Sequence, residues 1–364
     1  MFRAAASSSS ASLRRSVLRQ SQPWARTLSS SSSLLRPTPS DPTPPKSPTP
    51  TSSPVGASPK PDEDGTTHFG YRDIPSSSKE GLVASVFSSV ASSYDLMNDA
   101  MSLGIHRLWK AHFVSKLDPR GGINVLDVAG GTGDIALRIL DHARLKHIDR
   151  ETKVTMLDIN PEMLREGMKR IKRESMYWNT PQIDYQLGNA EALHSSMEIP
   201  PPRKGHKTLP PLKSQRTEDE SVDLYTIAFG IRNCTHIDKV LEEAYRVLKP
   251  GGVFACLEFG KVNNPLLAQI YKQYSFQVLP SLGHILASDR DSYQYLVESI
   301  ERFPTQQQFA NMMKKVGFVL PGSEEGERRL RQEGLDGEEW GGSGQGEWED
   351  LTGGIATIWI GCKL

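Results

Sequence analysis

Five short apolar runs recur along the middle of the chain: Asn124–Val128, Val154–Asp158, Ile183–Gly188, Ser221–Ala228 and Gly252–Phe259. Continuous runs of this length are the pattern of strands buried on both faces, as in a parallel sheet. The stretches between them place apolar residues at helical spacing, as in Ile135–His142, Pro161–Glu174 and Ile237–Leu248. In the last of these, Val240, Leu241, Ala244, Val247 and Leu248 share one face, and Pro250-Gly251-Gly252 stops the helix. Repeated strand–helix units predict an α/β fold, a doubly wound sheet whose ligands bind outside the carboxyl ends of the strands.

Other stretches break the pattern. Arg3, Arg14, Arg15, Arg19, Arg26 and Arg36 stand among serines, and no acidic residue precedes Asp41. Leu13, Val17 and Leu18 lie between the arginines at roughly helical spacing. An Arg-rich, Ser-rich, acid-poor start predicts an organelle transit peptide, a mitochondrial one, over residues 1–36. Residues 37–66 are dense in Pro, Ser and Thr and read as a disordered linker, which leaves 67–364 as one domain. Within it, about 200–220 and 322–350 are Pro-, Gly- and charge-rich and read as surface-loop insertions.

Charge and cysteine content narrow the classes further. Lys+Arg and Asp+Glu each number 43, so no net field favours nucleic acid, and no nucleic-acid partner is expected. Cys234, Cys256 and Cys362 are too scattered for a disulfide framework or a metal-ligand pair, so no metal site is expected. No stretch reaches the roughly 18 apolar residues a spanning helix needs, so any membrane contact is peripheral.

The candidate chemistry centres on Val125-Leu126-Asp127-Val128-Ala129-Gly130-Gly131-Thr132-Gly133-Asp134. A buried strand runs into a glycine turn and then a helix start, where positive φ and free backbone N–H groups let a ligand approach closely. Gly131-x-Gly133-x-x-Ala136 alone also fits a dinucleotide fingerprint. Asp127 disfavours that alternative, because a carboxylate there would lie close to a pyrophosphate. Asp158, at the end of the second run, suits ribose hydroxyls in either case.

Flanking segments carry a resemblance. Tyr94–Lys110 (YDLMNDAMSLGIHRLWK) resembles the first signature of the ubiquinone/menaquinone biosynthesis C-methyltransferase family. Arg246–Gly252, continuing to Leu257-Glu258-Phe259, resembles its second, with Phe259 where that family commonly has serine. Thr226–Asn233, Tyr274–Leu282 and Leu351–Ile355 extend the match over most of Thr67–Leu364 outside the insertions. The resemblance implies a Rossmann-like class I S-adenosylmethionine-dependent methyltransferase, with a mostly parallel seven-stranded sheet and helices on both faces. It implies C-methylation of a prenylated benzoquinol in ubiquinone synthesis, at the matrix side of the mitochondrial inner membrane. It further implies partners among other coenzyme Q biosynthesis proteins, with a homodimer left open. Two alternatives stay open: a same-fold methyltransferase on another small molecule or a protein side chain, and a mainly structural subunit of a quinone-synthesis complex.

Carried onto this chain, the resemblance places Asp127, Gly131, Thr132, Gly133, Asp158, Asn189, Ala190 and Ala228 around S-adenosylmethionine. A phenolic ring carbon becomes a good nucleophile once the hydroxyl proton leaves, so a base or a phenolate-stabilising cation is expected. Arg232 is the first candidate for the cation, its alternative being a structural ion pair. Tyr94 and Asn98, on one helix face with Met101 and Ile105, are candidates for substrate hydrogen bonds, and His106 for the base. Asp289 and Tyr293 rank below these. Leu266, Leu267, Ile270, Tyr271, Tyr274, Phe276, Val278 and Leu279 would supply a groove for the isoprenoid tail.

Overall fold

A computed structural model of the chain describes residues 65–90, 98–99, 102–201, 209–278, 290–332 and 346–364. A hairpin of β1 (Thr66–Phe69) and β2 (Arg72–Pro75) leads into α1 (Ser76–Val90). After α2 (Ile105–Leu117) come β3 (Asn124–Val128), α3 (Asp134–His147), β4 (Lys153–Asp158), α4 (Pro161–Glu174) and β5 (Ile183–Leu187). The chain then crosses back to β6 (Val222–Ala228), α5 (Ile237–Val247) and β7 (Leu248–Phe259). Helices α6 (Pro265–Gln273), α7 (Arg290–Arg302), α8 (Gln306–Val316) and α9 (Glu324–Gln332) precede β8 (Glu349–Leu351) and β9 (Ala356–Cys362).

The main sheet has seven strands in the order β5-β4-β3-β6-β7-β9-β8. Strands β3 to β7 pair in parallel, and β9 runs antiparallel to both of its neighbours. This is the mostly parallel seven-stranded sheet expected from the sequence. The strand order reverses between β3 and β6, which opens a crevice at their carboxyl ends, where open α/β sheets bind ligands.

Local chemistry sets the boundaries. Asn160 caps α4, its Oδ1 accepting from the Glu162 and Met163 N–H groups at 2.9 and 3.3 Å, and Pro161 takes the first helical turn. Thr305 and Gln308 form a capping box at the start of α8. Helix α5 ends at Val247, but β7 begins already at Leu248, paired with Val222, before the predicted Gly252. Pro250 and Gly251 (φ 81°) lie where the β6–β7 register shifts, so they mark an irregularity inside the strand rather than its beginning.

One core layer packs Phe113, Ile139, Leu140, Val154 and Leu164 on one side of the sheet. The other packs Tyr225, Val240, Leu241, Phe254, Phe309 and Trp359. Each such side chain contributes about 1.5–3 kcal/mol when fully buried. Parts of the predicted insertions join this scaffold: Leu212 is buried, and Lys213 bridges to Gln186 of β5. The 322–350 stretch holds α9, whose Leu330 is fully buried, and the start of β8. Its expected loop character is corrected over those residues. The predicted transit segment and residues 37–64 of the predicted linker lie outside the described residues.

Candidate active site

Asp127 sits on β3 opposite Thr226 of β6 and is almost fully buried. Its Oδ1 accepts from Thr226 Oγ1 at 2.8 Å, and the Ala136 backbone N–H adds a further bond. Its Oδ2 is buried with no protein partner. Burial pushes this carboxyl up to about 7, and Asp134 and Asp158 act in the same direction. An orphan carboxylate oxygen is costly unless a cationic ligand completes it.

The chain leaves β3 through Ala129, whose φ of 53° is rare for a residue with a Cβ. Phe229, after β6, has φ 55°, and a Cβ on Gly230 would lie 2.4 Å from the Ala129 Cβ. The two strand ends thus approach so closely that only glycine fits at residue 230. Two uncommon backbone conformations side by side at a crevice mark a site whose geometry outweighs local comfort. Gly131 donates its N–H to Asp158 Oδ2 at 3.0 Å, and Asn160 donates to Oδ1 at 2.8 Å. Burial raises Asp158 to about 6 against these bonds.

A cavity of about 360 Å³ opens over these groups. Its walls are the β3, β4 and β6 ends, Gly188–Glu191 after β5, Asn233–His236, and one face of α1 (Ser76, Ser77, Glu80, Val83, Ala84, Phe87). Helix α1 is pinned by Asn160 Nδ2, which donates to Ala84 O at 3.1 Å, and by the buried Lys79, which donates to Cys234 O at 2.9 Å. Asn189 Nδ2 lies 3.5 Å from Glu80 Oε2, and burial raises the Glu80 carboxyl. Lys110 of α2 reaches the same cavity, its Nζ 2.9 Å from Asp134 Oδ2 at the start of α3.

Seven of the expected cofactor residues line this cavity: Asp127, Gly131, Thr132, Asp158, Asn189, Ala190 and Ala228. Gly133 instead caps α3 with φ 79°, where an added Cβ would touch Met156 Cε at 3.0 Å. The set fits S-adenosylmethionine. An unpartnered carboxylate oxygen matches a cationic centre, a second buried carboxylate matches ribose hydroxyls, and a helix start matches a carboxylate. Lys110 and Glu80 line the cavity and Thr226 bonds Asp127, and sequence reasoning named none of the three as a candidate. Lys110 was quoted in a signature without a role, and Thr226 is a hydroxyl inside an apolar strand.

The catalytic candidates separate. Arg232 is not in the cavity lining; its Nη1 donates to Glu258 Oε1 and to Phe229 O, both at 2.7 Å. The guanidinium stacks 5.2 Å from the Phe259 ring, and both charged side chains are buried. This is the ion-pair alternative named above. His106 is not in the cavity lining either; it is buried, its Nε2 lies 2.8 Å from Asp99 Oδ1, and its Nδ1 has no protein partner. Burial holds its pKa below the usual imidazole value. Asn98 is half-buried and its carbonyl accepts from Ser102 Oγ at 2.8 Å. Ile105 packs at the edge of the core. Tyr94, Met101, Leu279, Asp289 and the side chains of Tyr293 and Val278 lie outside the described residues. Of the expected tail groove, Leu266 and Ile270 are exposed and no residue of α6 is buried. Asp118, His142 and His147, which the cysteine-based expectation of no metal site did not consider, gather where α2 ends beside α3.

Comparison with known proteins fits this architecture. The profile of the ubiE/COQ5 methyltransferase family matches residues 75–198 and 213–325. A Schizosaccharomyces pombe protein named 2-methoxy-6-polyprenyl-1,4-benzoquinol methylase, mitochondrial, is 50% identical over 301 residues, covering 82% of this chain and 84% of its own. Proteins of the same name from Oryza sativa subsp. japonica (46% over 308 residues; 82% and 88% covered) and Homo sapiens (43% over 280 residues; 69% and 78% covered) are also similar. With a profile match over more than half its length and relatives at this identity, the chain belongs to the ubiE/COQ5 methyltransferase family.

Proposed function

We propose that this chain methylates a ring carbon of 2-methoxy-6-polyprenyl-1,4-benzoquinol, with S-adenosylmethionine as methyl donor, in ubiquinone synthesis. The observation that carries the reading is 50% identity over 82% of the chain with a protein of that name. The bound cofactor supplies an electrophilic methyl group, so the protein's work is to bind, orient and deprotonate. Asp127 Oδ2 would pair with the cofactor's cationic end, and Asp158 would take the ribose hydroxyls. Asn189 and Glu80 would hold the adenine, and Lys110, beside the α3 start, would hold the carboxylate.

The acceptor ring must lose a phenolic proton, and His106, though outside the cavity lining, is the candidate whose ring is held neutral. Its Nε2–H donates to Asp99, which fixes the tautomer and leaves the lone pair on the unpartnered Nδ1. Burial keeps the ring neutral, as a proton acceptor must be. Arg232, tied to Glu258, positions the turn after β6 rather than meeting the phenolate. Tyr94 and Asn98 complete the substrate side.

The Arg-rich start acts as a mitochondrial transit peptide ahead of a Pro/Ser-rich linker, and the domain follows from residue 67. That reading is supported by relatives named mitochondrial. Among the described residues no helix is long and apolar enough to cross a membrane. The lipophilic substrate favours peripheral attachment to the matrix side of the inner membrane, alongside other coenzyme Q biosynthesis proteins. The test is turnover: purified protein with S-adenosylmethionine and a short-chain prenylated benzoquinol is expected to yield the ring-methylated product, by mass spectrometry. His106→Gln is expected to lower kcat while cofactor affinity holds. Cofactor binding without any product would leave only a structural role in the complex.

A further inference from the structure

Away from the cavity, where the last turns of α2 and α3 lie side by side, Asp118 caps α2 in the left-handed region with φ 43°. Its Oδ1 meets His142 Nε2 at 2.6 Å, His147 Nε2 at 2.7 Å and Lys146 Nζ at 2.7 Å. Its other oxygen accepts from Arg120 Nη1. Three nitrogen donors on one carboxylate oxygen exceed its two lone pairs, so this arrangement cannot satisfy all of them with good geometry.

The geometry points to a divalent transition-metal site formed by Asp118 Oδ1, His142 Nε2 and His147 Nε2. The three ligand atoms lie within 4.8 Å of one another, and the two imidazoles and the carboxylate are largely shielded from solvent. Two imidazoles and one carboxylate suit zinc or another first-row ion, with bonds of about 2.0–2.2 Å and a remaining position for water. Each neutral imidazole needs only to move its proton from Nε2 to Nδ1 to present a lone pair. The Lys146 side chain is 54% exposed and can withdraw to solvent, while Arg120 keeps Oδ2 and orients the carboxylate from behind. His147 also lines an open depression with Arg120, Gly121, Asp149 and Glu151.

Such an ion would clasp the carboxyl ends of two helices whose first turns carry His106 and Asp134, with Lys110 midway along α2. It would therefore stabilise the scaffold of the cavity without entering it. The test uses the full chain stripped of metal by a chelator and titrated with Co²⁺ and with Zn²⁺. One equivalent of Co²⁺ is expected to give visible d–d bands that Zn²⁺ displaces, and Zn²⁺ is expected to raise Tm. His142→Ala and His147→Ala should each weaken binding at least tenfold. S-adenosylmethionine binding should persist and report that the variants are folded. His147, in the final turn of α3, is the milder change if His142→Ala does not fold. Absence of saturable one-to-one binding by the parent chain overturns the assignment, as does equal affinity in a folded His147→Ala variant.

Discussion

Replacing Asp127 by Asn removes a charge that the ligand-free fold can hardly accommodate. Its carboxyl is pushed from the usual 3.8 up to about 7, chiefly by burial. At 1.36 kcal/mol per pKa unit, ionising it in the free protein costs about 4 kcal/mol, an upper bound for the effect of substitution. The sign follows from proton counting. Between pH 4 and 7 the folded state holds a proton that the unfolded state has lost, so stability falls as pH rises through this window and levels off above it. Asn is a neutral isostere without that dependence. At pH 8 the variant is expected to be more stable by about 2–4 kcal/mol, or at least about 5 °C in Tm for a domain of this size. Toward pH 4 the difference closes. Asp158 titrates in both proteins, so only its coupling to Asp127, minor beside the burial of Asp127, fails to cancel in the comparison. Cofactor binding should change in the opposite sense, weakening about 30-fold or more because the cationic end loses its buried counter-charge. Parent affinity should also rise with pH up to neutrality, as the ligand displaces the Asp127 proton. Thermal melts of both proteins from pH 5 to 8, with cofactor titrations at each pH, read both effects. A stability difference that does not change with pH, or a variant less stable than the parent at pH 8, refutes the assignment of a buried unpaired carboxylate.

Lys110→Met is expected to weaken S-adenosylmethionine about tenfold while leaving 5′-methylthioadenosine, which lacks the carboxylate, nearly unaffected; equal losses for both ligands, read by calorimetry, count against the carboxylate role. Arg232→Met strands Glu258 in the core and should cost about 3–5 kcal/mol in a denaturant melt. The pair Arg232→Met with Glu258→Met should recover most of that loss, and an Arg232→Met protein of unchanged stability excludes the structural ion pair.

What the sequence made legible was whatever a residue's own neighbours decide. Strands β3 to β6 show as apolar runs because both of their faces are covered, and α4 shows its start because Asn160 and Pro161 are chemically suited to a helix N-terminus. Asp127 stands out for the same reason, as an acid inside a run that otherwise excludes charge. Strand β8 is three residues long and exists through its pairing with β9, so no local pattern announces it.

The same division runs through the site. Gly131 and Asp158 could be placed because a strand, a turn and a helix start are local features. Arg232 was assigned to substrate because its partner, Glu258, lies 26 residues away on the neighbouring strand. Lys110 looks like a solvated helix lysine until Asp134, 24 residues on, turns it into the cavity. His142 and His147 say nothing in sequence until the αL cap at Asp118 aims a carboxylate between them. In each case the missing information is a pairing across elements, and it decides whether a charged side chain is spent on the fold or left for a ligand. Arg232 pairs with Glu258 away from the cavity and belongs to the scaffold, whereas Lys110, paired with Asp134, lines the cavity. Asp127 keeps one buried oxygen without a partner, as Arg232 keeps its Nε, but of the two only Asp127 lines the cavity, and that placement supports the proposed site of the methyl donor more than the glycine turn beside it does.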